Sequence, residues 1–161
     1  MAENNQTHTN KQLALQKIYI KDLSFESPRA PEIFSSNASP QTRLNIKSSS
    51  NKVTTDTQEV VLALTVEAID EDKTLFIVEI EQAGLFQIKG YTDEELQMLI
   101  GSYCPGTLYP FAREAISDVI SRGGFPQLLL QPINFDALYA QAAKDQDDGN
   151  GKRPQNPLAT H

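Results

Sequence analysis

Hydrophobic and polar residues alternate along two segments in the middle of the chain. Residues 59–69 (EVVLALTVEAI) and 74–82 (TLFIVEIEQ) place apolar side chains at every second position, the spacing of a β-strand with one buried face. These positions are Val60, Leu62, Leu64 and Val66 in the first segment and Phe76, Val78 and Ile80 in the second. The intervening residues 70–73 (DEDK) fit a short turn, so the pattern predicts a β-hairpin.

Two further strands are predicted upstream of this hairpin. Residues 13–26 (LALQKIYIKDLSFE) are β-branched and aromatic in their middle, and residues 42–47 (TRLNIK) alternate. Alternation places Asp22, Ser24 and Glu26 on one side of the first segment and Leu23 and Phe25 on the other. A proline-rich connection to about Pro40 separates the two strands, and the polar residues 48–56 predict a turn region after the second.

The second face of the predicted hairpin has a mixed composition. It carries Glu59, Glu67, Leu75, Ile77, Glu79 and Glu81. The carboxylates alone would indicate a solvated sheet face. Leu75 and Ile77 do not fit simple solvation, and they indicate a surface that binds a partner through apolar and acidic contacts.

The last third of the chain is predicted to be helical. Thr92 and Glu95 form a capping box at the start of a short helix, which residues 101–106 interrupt. A second helix is predicted over about residues 107–122, where apolar side chains recur at three- and four-residue steps. Pro110 is expected in its first turn, where backbone amides lack helical partners.

Glycine and asparagine mark the remaining helix ends. Gly123 and Gly124 are expected to end the second helix. Asn134 can cap a final short helix that extends to about Ala143. Strands followed by helices, without strict alternation of the two, predict an α+β fold with an antiparallel sheet.

Apolar side chains are also concentrated in two segments that have no regular period. They are Phe25, Ile33 and Phe34 around the proline-rich connection, and Phe125, Leu128, Leu129, Leu130, Ile133 and Phe135 between the last two helices. Connecting segments usually run over the surface of a protein. Apolar segments of this kind therefore either close the core or line a groove, and the pattern alone leaves both possibilities open.

Length and charge narrow the class of protein. The 161 residues carry a net charge of −7, with no cluster of lysine and arginine of the kind that binds nucleic acid or an anionic membrane surface. Residues 1–12 and 144–161 are polar and predicted to be disordered, which leaves a single domain over 13–143. The start of the chain lacks a signal-peptide pattern and no apolar stretch could span a bilayer, so a cytoplasmic protein without membrane insertion is expected.

Few residues are available for catalysis or metal binding. His8 and His161 lie in the segments predicted to be disordered, and the lone Cys104 is expected to be a small buried hydrophobic residue. The sequence contains no P-loop motif. We therefore expect no enzymatic activity, no cofactor and no metal site.

Four blocks of sequence resemble the SecB protein-export chaperone family. They are IYIKDLSFESPRAP (18–31), GSYCPGTLYPFARE (101–114), SRGGFPQL (121–128) and PINFDALY (132–139). The resemblance extends from about Leu15 to Ala140. It implies a four-stranded antiparallel sheet with helices packed on one face, assembled as a homotetramer that is a dimer of dimers. It also implies an ATP-independent chaperone that keeps secretory precursors unfolded and delivers them to SecA, the motor of the secretion translocon.

The resemblance further implies two functional surfaces. The surface that docks SecA corresponds to Asp22, Glu26, Ile77 and Glu79, which we call the docking set. The groove for unfolded clients is expected to contain Phe25, Phe34, Tyr109, Phe125, Leu128, Leu130 and Phe135. Family members often carry a tryptophan where this chain has Ala38, and a less basic tail than the one that contains Lys152 and Arg153.

Two other functions remain as alternatives. The first is a SecB-like chaperone for cytosolic or toxin–antitoxin clients without coupling to the motor, although the intact docking set argues against it. The second is a small-molecule enzyme or ligand-binding protein that uses the apolar groove, which the scarcity of catalytic residues disfavours.

Overall fold

A computed structural model describes residues 10–150 of the chain. Four strands form a single antiparallel sheet: β1 (Gln12–Glu26), β2 (Gln41–Lys52), β3 (Thr57–Asp70) and β4 (Lys73–Lys89). Their spatial order is β1-β4-β3-β2, so β1 and β2 are the edge strands. A four-residue 3₁₀ turn (Glu32–Ser35) lies within the crossover between β1 and β2.

The helices pack on one face of this sheet. They are α1 (Asp93–Met98), α2 (Cys104–Arg122) and α3 (Phe135–Asn150). The core between sheet and helices contains the predicted apolar stripes of β3 and β4 together with Leu108, Ile116 and Ile120 of α2, all of them buried. The predicted α+β fold with helices on one face of a four-stranded sheet is confirmed. The opposite sheet face, which the helices leave uncovered, is called the outer face below.

A glycine allows α2 to approach the sheet closely. A Cβ atom at Gly84 of β4 would lie 3.0 Å from a methyl carbon of Leu108 and 2.8 Å from the ring of Phe86. Neither atom could move far, because both side chains are fully buried. Gly84 therefore sets the distance between the central strand and α2.

Three β-bulges break the simple alternation. Gln16 and Lys21 are extra residues in β1, between Leu15 and Lys17 and between Ile20 and Asp22 of the pairing with β4. Leu75 is an extra residue in β4, since Ala68 pairs with Phe76 and Ile69 with Thr74. The bulge turns Leu75 into the core, where it is only 3% exposed, so its predicted place on the acidic face is wrong.

The strand and helix boundaries also differ from the prediction in places. Strand β2 continues through the polar residues Ser48–Lys52, because they complete the backbone ladder with the first half of β3. The expected interruption before α2 is a π-helical turn over Leu99–Tyr103, so Pro110 lies inside a continuous helix rather than in its first turn. The capping box at Thr92 is confirmed, as is the end of α2 at Gly123.

The strands and helices reach slightly beyond residues 13–143 at both ends. Helix α3 is capped by Asn134, whose side chain accepts a hydrogen bond from the amide of Ala137 at 3.0 Å. The helix then continues to Asn150, past Ala143 and into the segment predicted to be disordered. At the other end Lys11 forms an ion pair with Glu95 at 2.8 Å, and β1 begins at Gln12. The remaining terminal residues, with His8, Lys152, Arg153 and His161, lie outside the described residues.

None of the helices within residues 10–150 combines the length and the apolar character that crossing a membrane requires.

Candidate functional site

An apolar cavity opens where the β1–β2 crossover meets the loop between α2 and α3. Its volume is about 390 Å³. The crossover contributes Phe34 and Ala38, the sheet contributes Leu75 and Phe76, and the loop contributes residues 124–128. We call this cavity the aromatic groove. It is open to solvent, because the ring of Phe34 at its rim is 52% exposed.

Four phenylalanine rings form one cluster at this groove. Phe125 lies at the centre, with its ring centroid 4.9 Å from that of Phe76 and 5.4 Å from that of Phe34. Phe25 packs behind, at 6.1 Å from Phe76 and 6.4 Å from Phe125. These separations are those of favourable aromatic pairs. The cluster connects β1, the crossover, β4 and the interhelix loop. It therefore supports the walls of the groove, while Phe34 at one edge of the cluster remains exposed.

The two glycines after α2 make room for the rings. A Cβ atom at Gly123 would lie 2.2 Å from the ring of Phe25, and one at Gly124 would lie 3.1 Å from the ring of Phe34. Gly124 also has φ = +87°, a conformation that side-chain-bearing residues rarely adopt. The sequence explained these glycines only as the end of a helix, whereas the structure adds close contact with two of the groove aromatics.

Four of the seven residues predicted for the client groove belong to this site. Phe34, Phe125 and Leu128 line the cavity, and Phe25 supports it from behind. The other three, Tyr109, Leu130 and Phe135, are buried elsewhere and do not line it. The sequence placed these three residues only by segment, and apolar loop residues can also anchor a loop to the core.

Tyr109 shows how this anchoring works. Its hydroxyl donates a hydrogen bond to the backbone carbonyl of Gln131, and its ring centroid lies 5.6 Å from that of Phe135. The contact ties the interhelix loop to the first half of α2. Tyr109 and Phe135 therefore hold the loop in place, while residues 124–128 of the same loop form one wall of the groove.

A second apolar groove of about 500 Å³ lies between β2 and α3. Leu44 and Ile46 of β2 form one wall, and Leu138 and Tyr139 of α3 form the other. Phe135 lines this groove instead of the aromatic groove. Alternation over residues 42–47 places Leu44 and Ile46 on one face of β2. Nothing in the pattern indicated that α3 would lie opposite them.

The docking set lies together on the outer face of the sheet. Glu26 of β1 pairs directly with Ile77 of β4, and Ser24 pairs with Glu79 two residues along. Asp22 pairs with Glu81, so carboxylates face each other across the two strands. The side chains of Asp22, Glu26, Glu79 and Glu81 are exposed and Ile77 is half-buried, which gives an acidic surface around one apolar residue.

A hydrogen-bonded group lies beside this surface. The hydroxyl of Tyr19 donates a hydrogen bond to one carboxylate oxygen of Glu59, and the Lys21 ammonium lies 3.1 Å from the other. The hydrogen bond from Tyr19 and the ion pair with Lys21 lower the pKa of Glu59, so this carboxylate is charged at neutral pH. Burial, with the bond to Glu59, raises the pKa of Tyr19 to about 12, so the phenol stays protonated.

Cys104 begins α2 and is fully buried, as the sequence predicted. Burial disfavours the charged thiolate and raises the pKa of its thiol from 9.0 to about 12. At pH 8 its reaction with a maleimide should therefore be about a thousandfold slower than that of an exposed cysteine. Labelling measured by mass spectrometry, with and without urea, checks this; rapid labelling of the folded protein would contradict the buried position.

Comparison with known proteins identifies the family of this chain. The family model described as "Preprotein translocase subunit SecB" matches residues 6–146. The chain belongs to the SecB family. SecB is a chaperone family of the Sec protein-export pathway, which confirms the resemblance seen in the sequence and the assignment to protein export.

Curated relatives are similar in sequence to this chain over most of their length. The chain is 47% identical over 163 aligned residues to "Protein-export protein SecB" of Marinobacter nauticus, covering 96% of this chain and 99% of that protein. It is 52% identical over 132 residues to the protein of the same name from Nitrosococcus oceani, covering 81% and 80%.

A solved structure has the same fold. It is a SecB-like chaperone of Mycobacterium tuberculosis in complex with a peptide from an antitoxin. The TM-score is 0.59 at 19% identity, and the match covers 75% of this chain and 90% of that one. At this identity the likeness concerns the fold alone.

Proposed function

We propose that this SecB chain is an ATP-independent holdase that binds unfolded secretory precursors in the aromatic groove and delivers them to SecA. The observation that carries the proposal is the open aromatic groove. Its exposed Phe34 and half-buried Phe125 present apolar surface to which an unfolded client can bind. Membership of an export-chaperone family supplies the client class. The proposed site of action is the cytoplasm, where precursors are still unfolded.

Binding in such a groove would depend on apolar contact rather than on a defined sequence. Burial of apolar surface yields roughly 25 cal/mol per Å² without directional requirements. A precursor with many exposed apolar segments can therefore occupy the groove in many registers. One groove of this size gives modest affinity, and no bond of the client needs to be made or broken.

Assembly would raise the affinity. We propose a homotetramer, arranged as a dimer of dimers, which presents several grooves to one precursor. Tethering makes each later contact intramolecular and can raise avidity by about 10²–10⁴. Exposed apolar side chains on the β1 edge and α2, namely Ile20, Leu23 and Phe111, are consistent with further contacts between chains.

Docking to SecA would use a different surface from client binding. The docking set lies on the outer face of the sheet, and the aromatic groove lies at the other side of β4, towards the helices. A client and the motor could therefore bind at the same time. An acidic surface would speed the encounter with a basic partner, and the binding would weaken with salt.

A refolding assay without ATP tests the holdase. A denatured secretory precursor is diluted with and without the protein, and its rate of refolding is followed. We expect refolding to stop at about one tetramer per precursor. Unchanged refolding in the presence of folded protein would contradict holding, and efficient holding without salt-sensitive binding to SecA would favour a chaperone for cytosolic or toxin–antitoxin clients.

Ala38→Trp should raise client affinity. Ala38 lines the aromatic groove at the position where family members often carry tryptophan, and an indole there would add apolar contact surface. Since burial of a large side chain is worth about 1.5–3 kcal/mol, we expect roughly a tenfold lower Kd for an unfolded precursor. Fluorescence titration with a labelled client gives the value.

Ser39→Trp is the matched control, because Ser39 is exposed and does not line the groove. An equal gain in affinity from Ser39→Trp would show that tryptophan binds clients non-specifically. A loss of affinity from Ala38→Trp would show that the cavity at Ala38 is itself needed for the client.

A further inference from the structure

The bulge at Lys21 decides which residues of β1 face outward. Tyr19 pairs with Ala83 and Asp22 pairs with Glu81, so both lie on the outer face although they are three residues apart. In a regular strand, residues three apart point to opposite sides of the sheet. Without an extra residue at this point, Asp22 could not share a face with Tyr19.

Side chains hold the bulge from the outer face. Tyr19 reaches across β4, past the small and fully buried Ala83, to the carboxylate of Glu59 on β3. Lys21, the extra residue itself, reaches the same carboxylate at 3.1 Å. One carboxylate on a central strand therefore binds both the residue before the bulge and the bulged residue.

A buried amide holds the same segment from the helix side. The side chain of Gln82 is only 3% exposed and donates a hydrogen bond of 3.1 Å to the backbone carbonyl of Tyr19. A buried polar side chain is costly unless its hydrogen bonds are made. The hydrogen bond from the Gln82 side chain therefore favours the backbone position that the Tyr19 carbonyl has in this structure.

We propose that Tyr19, Glu59 and Gln82 are positioning residues for SecA docking, because they clamp the Lys21 bulge and thereby present Asp22 on the outer face. This inference rests on the proposed docking function. Phe25, anchored against Phe76 and Gly123, holds the far end of the strand. Loss of the clamp should therefore loosen residues 19–22 and leave the strand paired.

Tyr19→Phe tests the clamp because it removes one hydroxyl and no charge. We expect the Kd for SecA to rise roughly fivefold. The effect is limited because the lost hydrogen bond to Glu59 weakens SecA binding only indirectly, by holding Asp22 less firmly in position. The effects of Tyr19→Phe and Asp22→Asn on SecA binding should not be additive. The variant that carries both changes should bind SecA little worse than Asp22→Asn alone. Tyr19→Phe should be additive with Glu79→Gln, because Glu79 is on β4 and does not depend on the bulge.

Two comparisons make the result decisive. Tyr103→Phe, at an exposed position where the hydroxyl makes no hydrogen bond within residues 10–150, should leave Kd unchanged. Hydrogen exchange, measured without SecA, should become faster in Tyr19→Phe at residues 19–22 and stay unchanged in β3. Unchanged exchange there, or additive effects of Tyr19→Phe and Asp22→Asn, would overturn the positioning role. Wild-type protein that fails to bind SecA would overturn the docking function instead, and the exchange experiment would still decide whether the clamp exists.

Discussion

Asp22→Lys combined with Glu79→Lys should weaken SecA binding by at least about a hundredfold, because each change places a cation where the proposed partner presents cations. Asp22 and Glu79 are both exposed, and neither takes part in a salt bridge within residues 10–150. The free energy of unfolding should therefore change by less than about 0.5 kcal/mol. Isothermal titration with SecA measures the loss, and the refolding assay should show unchanged client holding.

The control variant carries the same change of charge on the other side of the molecule. Glu94→Lys with Asp145→Lys alters two exposed carboxylates of α1 and α3. It should bind SecA within about a factor of three of the wild type, the difference that screened long-range charge allows. Equal losses in the two double variants would mean that net charge, and not the outer face, governs docking. A parallel loss of client holding would mean that the two functions share a surface.

The place of the docking set was predictable because its pattern is local. Between Asp22 and Glu26, and again between Val78 and Glu81, the strands alternate without interruption, and Val78 and Ile80 on the other face are buried in the core. The hydrophobic side chains then fix the side on which the acidic ones emerge. The prediction from Phe25 and Leu23 therefore placed the neighbouring carboxylates correctly.

Bulges account for what alternation missed in the sheet. Leu75 fits the outward parity of its neighbours, but an extra residue at that point turns it into the aromatic groove. A bulge arises where one strand has an extra residue relative to its partner strand. The hydrophobic pattern of a single segment does not contain this information. The extra residue at Lys21 was not predicted for the same reason, although the residues that follow it were assigned to the correct faces.

The groove was only partly predictable because its walls come from distant parts of the chain. Phe34 and Phe125 are far apart in sequence and meet at 5.4 Å. Segment membership identified the crossover and the interhelix loop as apolar. It could not distinguish Leu128, which lines the groove, from Leu130, which is buried against the core. That difference depends on how the loop is anchored through Tyr109.

The groove itself is best tested at its rim. Phe34→Asp with Leu128→Asp should reduce client affinity by at least about thirtyfold, because two large apolar contacts are lost and two charges are placed in an apolar cavity. Phe34 is a better choice than Phe125, which is packed at the centre of the ring cluster and whose loss would also disturb the fold. The titration with a labelled precursor gives the loss, while SecA binding should be unchanged.

Leu129 provides a matched control for this prediction. It is adjacent to Leu128 in sequence and 65% exposed, yet it lies outside the aromatic groove. Leu129→Asp with Met98→Asp adds the same two charges at exposed apolar positions. If exposed apolar surface in general binds clients, the control should lose as much affinity as the groove variant. If the groove is the binding site, holding should fail only when Phe34 and Leu128 are changed, and the retained SecA binding would then show that client and motor occupy separate faces of the sheet.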